Sequence, residues 1–353
     1  MTQLNEARYI IYNAKLAIIR ERCVTLRQIC YTKPMHSPEY YSDLIEKNLA
    51  GISYPEQPDG LYAPIRYTLE GGGKRLRPML LLAAADAYGL APEKAIPQAV
   101  GIEMFHNFTL LHDDVMDNAS VRRGRPTVHR RWNQSVAILS GDAMLTMATQ
   151  YVSDASPEKA HDVLKLFNKT AMEVYEGQQY DMDFETRDDV LVEEYLEMIR
   201  LKTSVLLACA ARMGALLADA TEKSQDAIYR YGELLGLAFQ LQDDYLDTYG
   251  DPALFGKEIG GDIINEKKTW LWITAMSERP EEIKGILSKK LTDYLKIKEI
   301  KSVYDDLNLA ERSHKMIEQY AAEAIAALDC AGMPYEGLVF FEKLASGLIS
   351  RSN

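Results

Sequence analysis

AVGIEMFHNFTLLHDDVMD, residues 99–117, spaces its apolar side chains three and four apart and ends in aspartates. That period is helical. YGELLGLAFQLQDDYLDTYG, residues 231–250, repeats the design, and VEEYLEMIRLKTSVLLACAARMGALLA, 192–218, keeps the period. Runs of alternating strand type bounded by hairpin dipeptides are scarce. Glycine and proline gather in a few breaks instead: SYPEQPDGLYAP (53–64), EGGGKRLRP (70–78), RRGRPT (122–127), YGDPALFGKEIGGD (249–262) and CAGMPYEG (330–337). These read as loops at helix ends. The sequence therefore predicts an all-α protein. It contains no internal repeat, low-complexity linker or compositional shift. The expected organisation is one main domain over 51–353, with 1–50 as helical additions packed on it.

Among 353 residues, 40 Lys plus Arg stand against 52 Asp plus Glu, a formal charge of −12. Such a field argues against a nucleic-acid partner. An anionic ligand would need local basic clusters or bound cations to reverse it. The four cysteines, Cys23, Cys30, Cys209 and Cys330, form no CxxC pair and have no histidine at zinc-finger spacing. They read as free thiols in a reducing cytosol. The opening MTQLNEARYIIYNAKLAIIRERC is broken by charge every few residues, and no other stretch approaches a membrane span. A soluble, cytoplasmic protein with no stable membrane insertion is expected.

The aspartates are the first chemical signal. Asp113, Asp114 and Asp117 form DDVMD, and Asp243, Asp244 and Asp247 form DDYLD. Positions i and i+4 of a helix share a face, so Asp113 aims with Asp117, and Asp243 with Asp247. Oxygen ligands without His or Cys suit Mg²⁺, which takes one or two carboxylates and completes its shell with water and phosphate. A solvated acidic face is the alternative for either run alone. Both runs close apolar helices, however, where the helix dipole disfavours negative charge unless a cation offsets it. Two runs of one pattern argue for a shared metal site.

Basic clusters flank them. Lys74, Arg75 and Arg77 follow the triple glycine; Arg122, Arg123 and Arg125 come soon after DDVMD; Lys257, Lys267 and Lys268 follow DDYLD. Arg offers bidentate donors to phosphate oxygens and Lys a mobile charge. Each cluster alone reads as surface charge, but carboxylates, Mg²⁺ and Arg/Lys together are what a diphosphate needs, because its charge must be neutralised from several sides. Lys202 and Thr203 add a cation and a hydroxyl, and Gln240 lies one turn before Asp243 and Asp244. His106, two turns before Asp113 on the same face, is a plausible donor to a second phosphate group.

In this order, GGGKRLRP, HNFTLLHDDVMD, RRGRPT, GDAML, EGQQYD, LKT, FQLQDDYLD, GKEIGGDI and KKT resemble the trans-polyprenyl diphosphate synthases, the farnesyl and geranylgeranyl diphosphate synthase family. The matches span about residues 70 to 270. The resemblance implies a single-domain antiparallel helical bundle of isoprenoid synthase type around a deep central cavity, paired as a homodimer. It implies head-to-tail condensation of isopentenyl diphosphate with an allylic diphosphate (dimethylallyl, geranyl or farnesyl), with about three Mg²⁺ ions per site. Asp113, Asp117 and Asp243 would be the main magnesium ligands, supported by Asp114 and Asp247, with Asp244 also in the metal set. Lys74, Arg77, His106 and Arg123 would bind isopentenyl diphosphate. Arg122, Lys202, Gln240, Lys257 and Lys267 would bind the allylic diphosphate, and Thr203 would shield the developing cation.

Family experience ties product length to bulk just upstream of the first aspartates, here Phe108 and Thr109, with Phe105 one turn further up. An aromatic at the fifth position alone resembles synthases of twenty-carbon products, so geranylgeranyl is favoured over farnesyl. An ideal helical wheel turns Phe108 well away from the Asp113 and Asp117 face, so this role comes from the family and not from spacing. A class I terpene cyclase or a head-to-head synthase would not carry GGGKRLRP with a second DDxxD. A non-catalytic helical subunit would have lost an aspartate motif, and a metal-storage bundle would not need the arginine loops.

Overall fold

A computed structural model describes residues 34–250 and 259–349. The chain begins with α1 (Pro38–Ala50), α2 (Asp59–Leu69) and α3 (Leu76–Ala87), then the long α4 (Ile96–Met116). A two-stranded hairpin follows, β1 (Val121–Arg122) with β2 (Arg125–Pro126), and leads through short α5 (Val128–Arg131) into α6 (Gln134–Ser153) and α7 (Pro157–Phe184). Next come α8 (Val192–Ile199), a π-helical turn over Arg200–Ser204, α9 (Val205–Leu217) and the second aspartate helix, α10 (Glu222–Tyr249). The remainder is α11 (Gly261–Ile264), α12 (Trp270–Glu278), α13 (Pro280–Leu287), α14 (Asp293–Asp306), α15 (Leu309–Ala327) and α16 (Tyr335–Ile349). The all-α expectation holds.

Local chemistry sets the helix starts. Pro38 occupies the first turn of α1 and the Ser37 side chain accepts the Tyr40 N–H. Asn133, Thr221, Thr269 and Thr292 cap α6, α10, α12 and α14 in the same way. Each cap satisfies an N–H that has no partner inside the helix.

Packing does the rest. The closest pairings are α4 with α6, α3 with α9, α9 with α10, and α10 with α15. One apolar core joins the first helices to α6, α7, α9 and the N-terminal half of α10, and a second gathers α8, the middle of α10 and α12 to α15. The functional cavity opens between them. Of the expected 1–50 addition, residues 1–33 lie outside the described residues. The described helix α1 is built into the main core, with Tyr41 and Ile45 fully buried. Among the described residues no helix is long and apolar enough to cross a membrane.

Candidate active site

Both aspartate runs face one cavity of about 740 Å³ between α3, α4, α7, α8, the π-turn, α9 and α10. Asp113 and Asp117 line one wall and Asp243 and Asp244 another. Burial, and secondarily the nearby Asp117 carboxylate, push Asp113 up to about 6, although Lys202 and Arg122 oppose the shift. A carboxyl so destabilised as an anion invites a cation.

The outer aspartates behave differently. Asp114 faces away from the cavity, buried, with its Oδ1 accepting from Arg122 Nε at 2.8 Å. It anchors the hairpin instead of joining Asp113, because adjacent residues on a helix point about 100° apart. Asp247 accepts the Asp262 backbone N–H at 2.9 Å and so holds the start of α11; it too does not line the cavity. Asp244 does line it, yet its oxygens are engaged: Tyr195 donates to Oδ2 at 2.5 Å, and Gln240 Nε2 donates to Oδ1 at 2.9 Å. Gln240 in turn accepts from Thr203 Oγ1 at 3.0 Å. This chain of bonds fixes α10 against the π-turn. Among the described residues no three His, Cys, Asp or Glu side chains converge as a closed metal cage.

The basic wall is assembled from two loops. Arg75 begins α3 with positive φ (47°), and its guanidinium is spent entirely on protein: Glu46 at 2.7 Å, Glu103 at 2.6 Å and the Leu69 carbonyl at 2.8 Å. Arg75 is thus an anchor although it borders the cavity with Lys74 and Arg77, because its donors are already taken by Glu46, Glu103 and the Leu69 carbonyl. Arg77 Nη1 lies 3.1 Å from His106 Nε2. Burial, then the neighbouring Arg77 and Arg123 charges, hold the His106 pKa well below its usual value, so the ring is neutral. With the arginine always a donor, Nε2 accepts and Nδ1 carries the proton.

The second loop is the hairpin. Arg123 (φ 51°) and Gly124 (φ 73°) occupy its two-residue turn, and the two positive angles match the right-handed strand twist. Arg122 and Arg123 are delivered to the cavity rim. Arg123 Nη1 donates to the Gly72 carbonyl, and a Cβ on Gly73 would stand only 3.0 Å from that guanidinium. The glycine run therefore makes room for an arginine. Tyr67 braces the hairpin, its ring 3.9 Å from the Arg125 guanidinium and its hydroxyl donating to the Pro126 carbonyl at 2.8 Å.

Lys202 projects from the π-turn and pairs with Asp181 at 2.5 Å. Such turns often mark functional positions. Lys267 lines the same cavity, 4.0 Å from Asp262. Burial would lower its pKa, but the carboxylates of Asp262, Asp244, Asp181 and Asp243 outweigh that and push it up, so it remains a cation. Lys257 lies outside the described residues.

Of the residues expected to fix product length, Phe108 and Thr109 line the cavity and Phe105 is fully buried behind Phe108, ring centroids 5.6 Å apart. The helical wheel underrates Phe108 because the cavity wraps around α4 below the aspartates, so a wide arc of that helix lines it. Sequence reading passed over Asp181, Asp262, Tyr195 and Tyr175. The first two sit inside matched motifs, EGQQYD and GKEIGGDI, where their acidity was the available signal. Tyr195 and Tyr175 had none, being tyrosines in ordinary helical stretches.

Residues 58–307 match the family model described as Polyprenyl synthetase. The geranylgeranyl diphosphate synthase of Methanosarcina mazei is 43% identical over 224 residues, 63% of this chain and 69% of that protein. A short chain isoprenyl diphosphate synthase of Methanothermobacter thermautotrophicus is 34% identical over 307 residues, 86% of this chain and 91% of that protein. A crystal structure of a geranylgeranyl pyrophosphate synthase superposes with a TM-score of 0.87 at 42% identity, covering 90% of this chain and all of the other.

Proposed function

We propose a course of reaction for this chain, which belongs to the polyprenyl synthetase family, with geranylgeranyl diphosphate as its main product and farnesyl diphosphate as the shorter alternative. The protein is a short-chain trans-prenyltransferase, joining isopentenyl diphosphate head to tail to an allylic diphosphate and releasing pyrophosphate. One observation carries the assignment of its parts. Asp113 and Asp117 look into the same cavity as Asp243, and Lys74, Arg77, Arg123 and His106 look into it from another wall.

The donor set fits magnesium. Every candidate ligand is a carboxylate oxygen, Asp113 is destabilised as a bare anion, and the carboxylates do not close a cage. That is the arrangement Mg²⁺ favours when phosphate and water complete its shell. Asp113, Asp117 and Asp243 would hold it, with Asp181 facing the same space and Asp262 set behind Lys267. When bound, the metal supplies positive charge that stabilises the departing pyrophosphate.

The chain's own residues do the remaining work. Lys202, Lys267 and Arg122 spread positive charge around the allylic diphosphate, and that charge acts most strongly as the leaving group gains electrons. Thr203 and Gln240, bonded to each other, present oxygen dipoles near the carbon that becomes cationic. Lys74, Arg77, Arg123 and neutral His106 hold isopentenyl diphosphate so that its double bond attacks that carbon. Orientation of this kind replaces a side-chain nucleophile. The proton then leaves to pyrophosphate. The hydrocarbon tail extends past Thr109 toward Phe108, where an aromatic floor favours a twenty-carbon limit.

Pairing into a homodimer is supported by exposed apolar side chains on adjacent helices, Ile138 and Leu139 on α6 and Met172 on α7, of which Leu139 is 60% exposed. The test of the whole reading is incubation with radiolabelled isopentenyl diphosphate, Mg²⁺ and each allylic primer in turn, followed by sizing of the dephosphorylated products. A twenty-carbon alcohol is expected. No incorporation with any primer would overturn the assignment.

A further inference from the structure

Rings from two different helices meet in the apolar part of the cavity wall. Phe108 of α4 and Tyr175 of α7 both line it, their centroids 6.2 Å apart and their planes at 87°. Behind them lies a second tier. Phe105 packs edge-on against Phe167 at 5.2 Å and touches both upper rings, Phe108 at 5.6 Å and Tyr175 at 6.1 Å. Phe105 and Phe167 are buried and outside the cavity lining.

Tyr175 sits there at a cost. Its hydroxyl is shielded from solvent and has no hydrogen-bond partner among the described residues. A buried hydroxyl without a partner is unfavourable where the same ring without oxygen would do. The position is therefore not explained by a polar network holding α7 in place. What the side chain provides is a broad ring on the cavity wall beside Phe108, backed by Phe105.

We propose that Tyr175 is a product-length-determining residue, closing the channel jointly with Phe108 as the second half of one floor. The proposal rests on the prenyltransferase reading and adds a determinant on a helix other than that of the first aspartate run. Truncating Phe108 alone leaves the Tyr175 ring spanning part of the gap. Truncating both exposes the Phe105 and Phe167 tier, so the two substitutions act together more strongly than either alone.

The test uses the full chain with Mg²⁺, an allylic primer and excess radiolabelled isopentenyl diphosphate, with products dephosphorylated and sized by reversed-phase chromatography. Tyr175→Ala is expected to lengthen the main product by one or more five-carbon units. Tyr175→Phe should leave it unchanged, and the double variant with Phe108→Ala should exceed both singles. A folded Tyr175→Ala that gives the wild-type distribution while Phe108→Ala lengthens it overturns the proposal. If Tyr175→Ala does not fold, Tyr175→Trp decides: its larger ring must shift the distribution to shorter chains, and an unshifted distribution overturns the proposal. A wild-type protein that incorporates nothing would instead defeat the prenyltransferase reading.

Discussion

Arg75 Nη1 and Glu103 Oε1 lie 2.6 Å apart in an ion pair whose side chains are almost wholly buried. This pair, with Glu46 and the Leu69 carbonyl, locks the start of α3 and so sets the separation of Lys74 from Arg77. Arg75→Met leaves Glu103 buried without its partner and is expected to cost about 3–5 kcal/mol. Urea unfolding measures the loss, and the KM for isopentenyl diphosphate should rise more than kcat falls. Replacing Glu103 by Leu as well should recover most of the stability, but not the KM. A single-variant loss under about 1 kcal/mol would remove the anchoring role.

The π-turn carrying Lys202 and Thr203 fits between two glycines. A Cβ on Gly177 of α7 would come within 2.3 Å of the Lys202 backbone nitrogen, and one on Gly236 of α10 within 2.5 Å of Ser204 Cα. Backbone cannot yield as a side chain can, so Gly177→Ala must push the turn away. An overpacking cost of about 1–3 kcal/mol is expected, with a fall in kcat. Unchanged kcat in a folded variant would mean that the turn tolerates displacement.

A divalent cation should stabilise the native protein, because the unfolded chain offers no preformed set of carboxylates. At a hundredfold excess over its dissociation constant the gain is about 2.7 kcal/mol per independent site. Melting curves with and without Mg²⁺ read it directly. In Asp243→Asn or Asp113→Asn the gain should shrink and activity should collapse. An undiminished Mg²⁺ shift in both variants would place the metal elsewhere.

Asp86 ties the described start of the chain to α3. His36 Nδ1 and the Tyr41 hydroxyl each lie 2.7 Å from its Oδ2. Burial alone would raise its pKa, but these hydrogen bonds outweigh burial and hold it below 3.8. A carboxyl depressed in this way contributes stability above its unfolded pKa of about 3.8–3.9, and that contribution fades as pH falls through the folded value. Asp86→Asn should therefore melt earlier near neutral pH, and its deficit should narrow below about pH 4. A deficit that stays constant from neutral to acid would show that Asp86 acts through packing alone.

How far the sequence reaches can be judged from these residues. The helices, the paired aspartate runs and the basic loops were all legible, because a period of three and four, an i to i+4 spacing and a glycine-rich break are local properties. Asp113 and Asp117 share a face in any helix, whatever surrounds them. The resemblance of the motifs carried the reaction class. What lay beyond reach was which way a side chain turns once helices pack. Arg75, Arg77, Arg122 and Arg123 look alike in a basic cluster, yet Glu103 claims the first and Asp114 the third. Asp244 and Tyr195 are 49 residues apart, and only packing makes them partners. Phe108 could be named from its place before the aspartates, but not the Tyr175 that faces it from α7. Local patterns along the chain suffice for an all-helical protein with the chemistry of a diphosphate site. Which charges are tied to protein partners, which stay available to the cavity and which rings bound it follow from packing, because each depends on the rotation and depth of one helix against another.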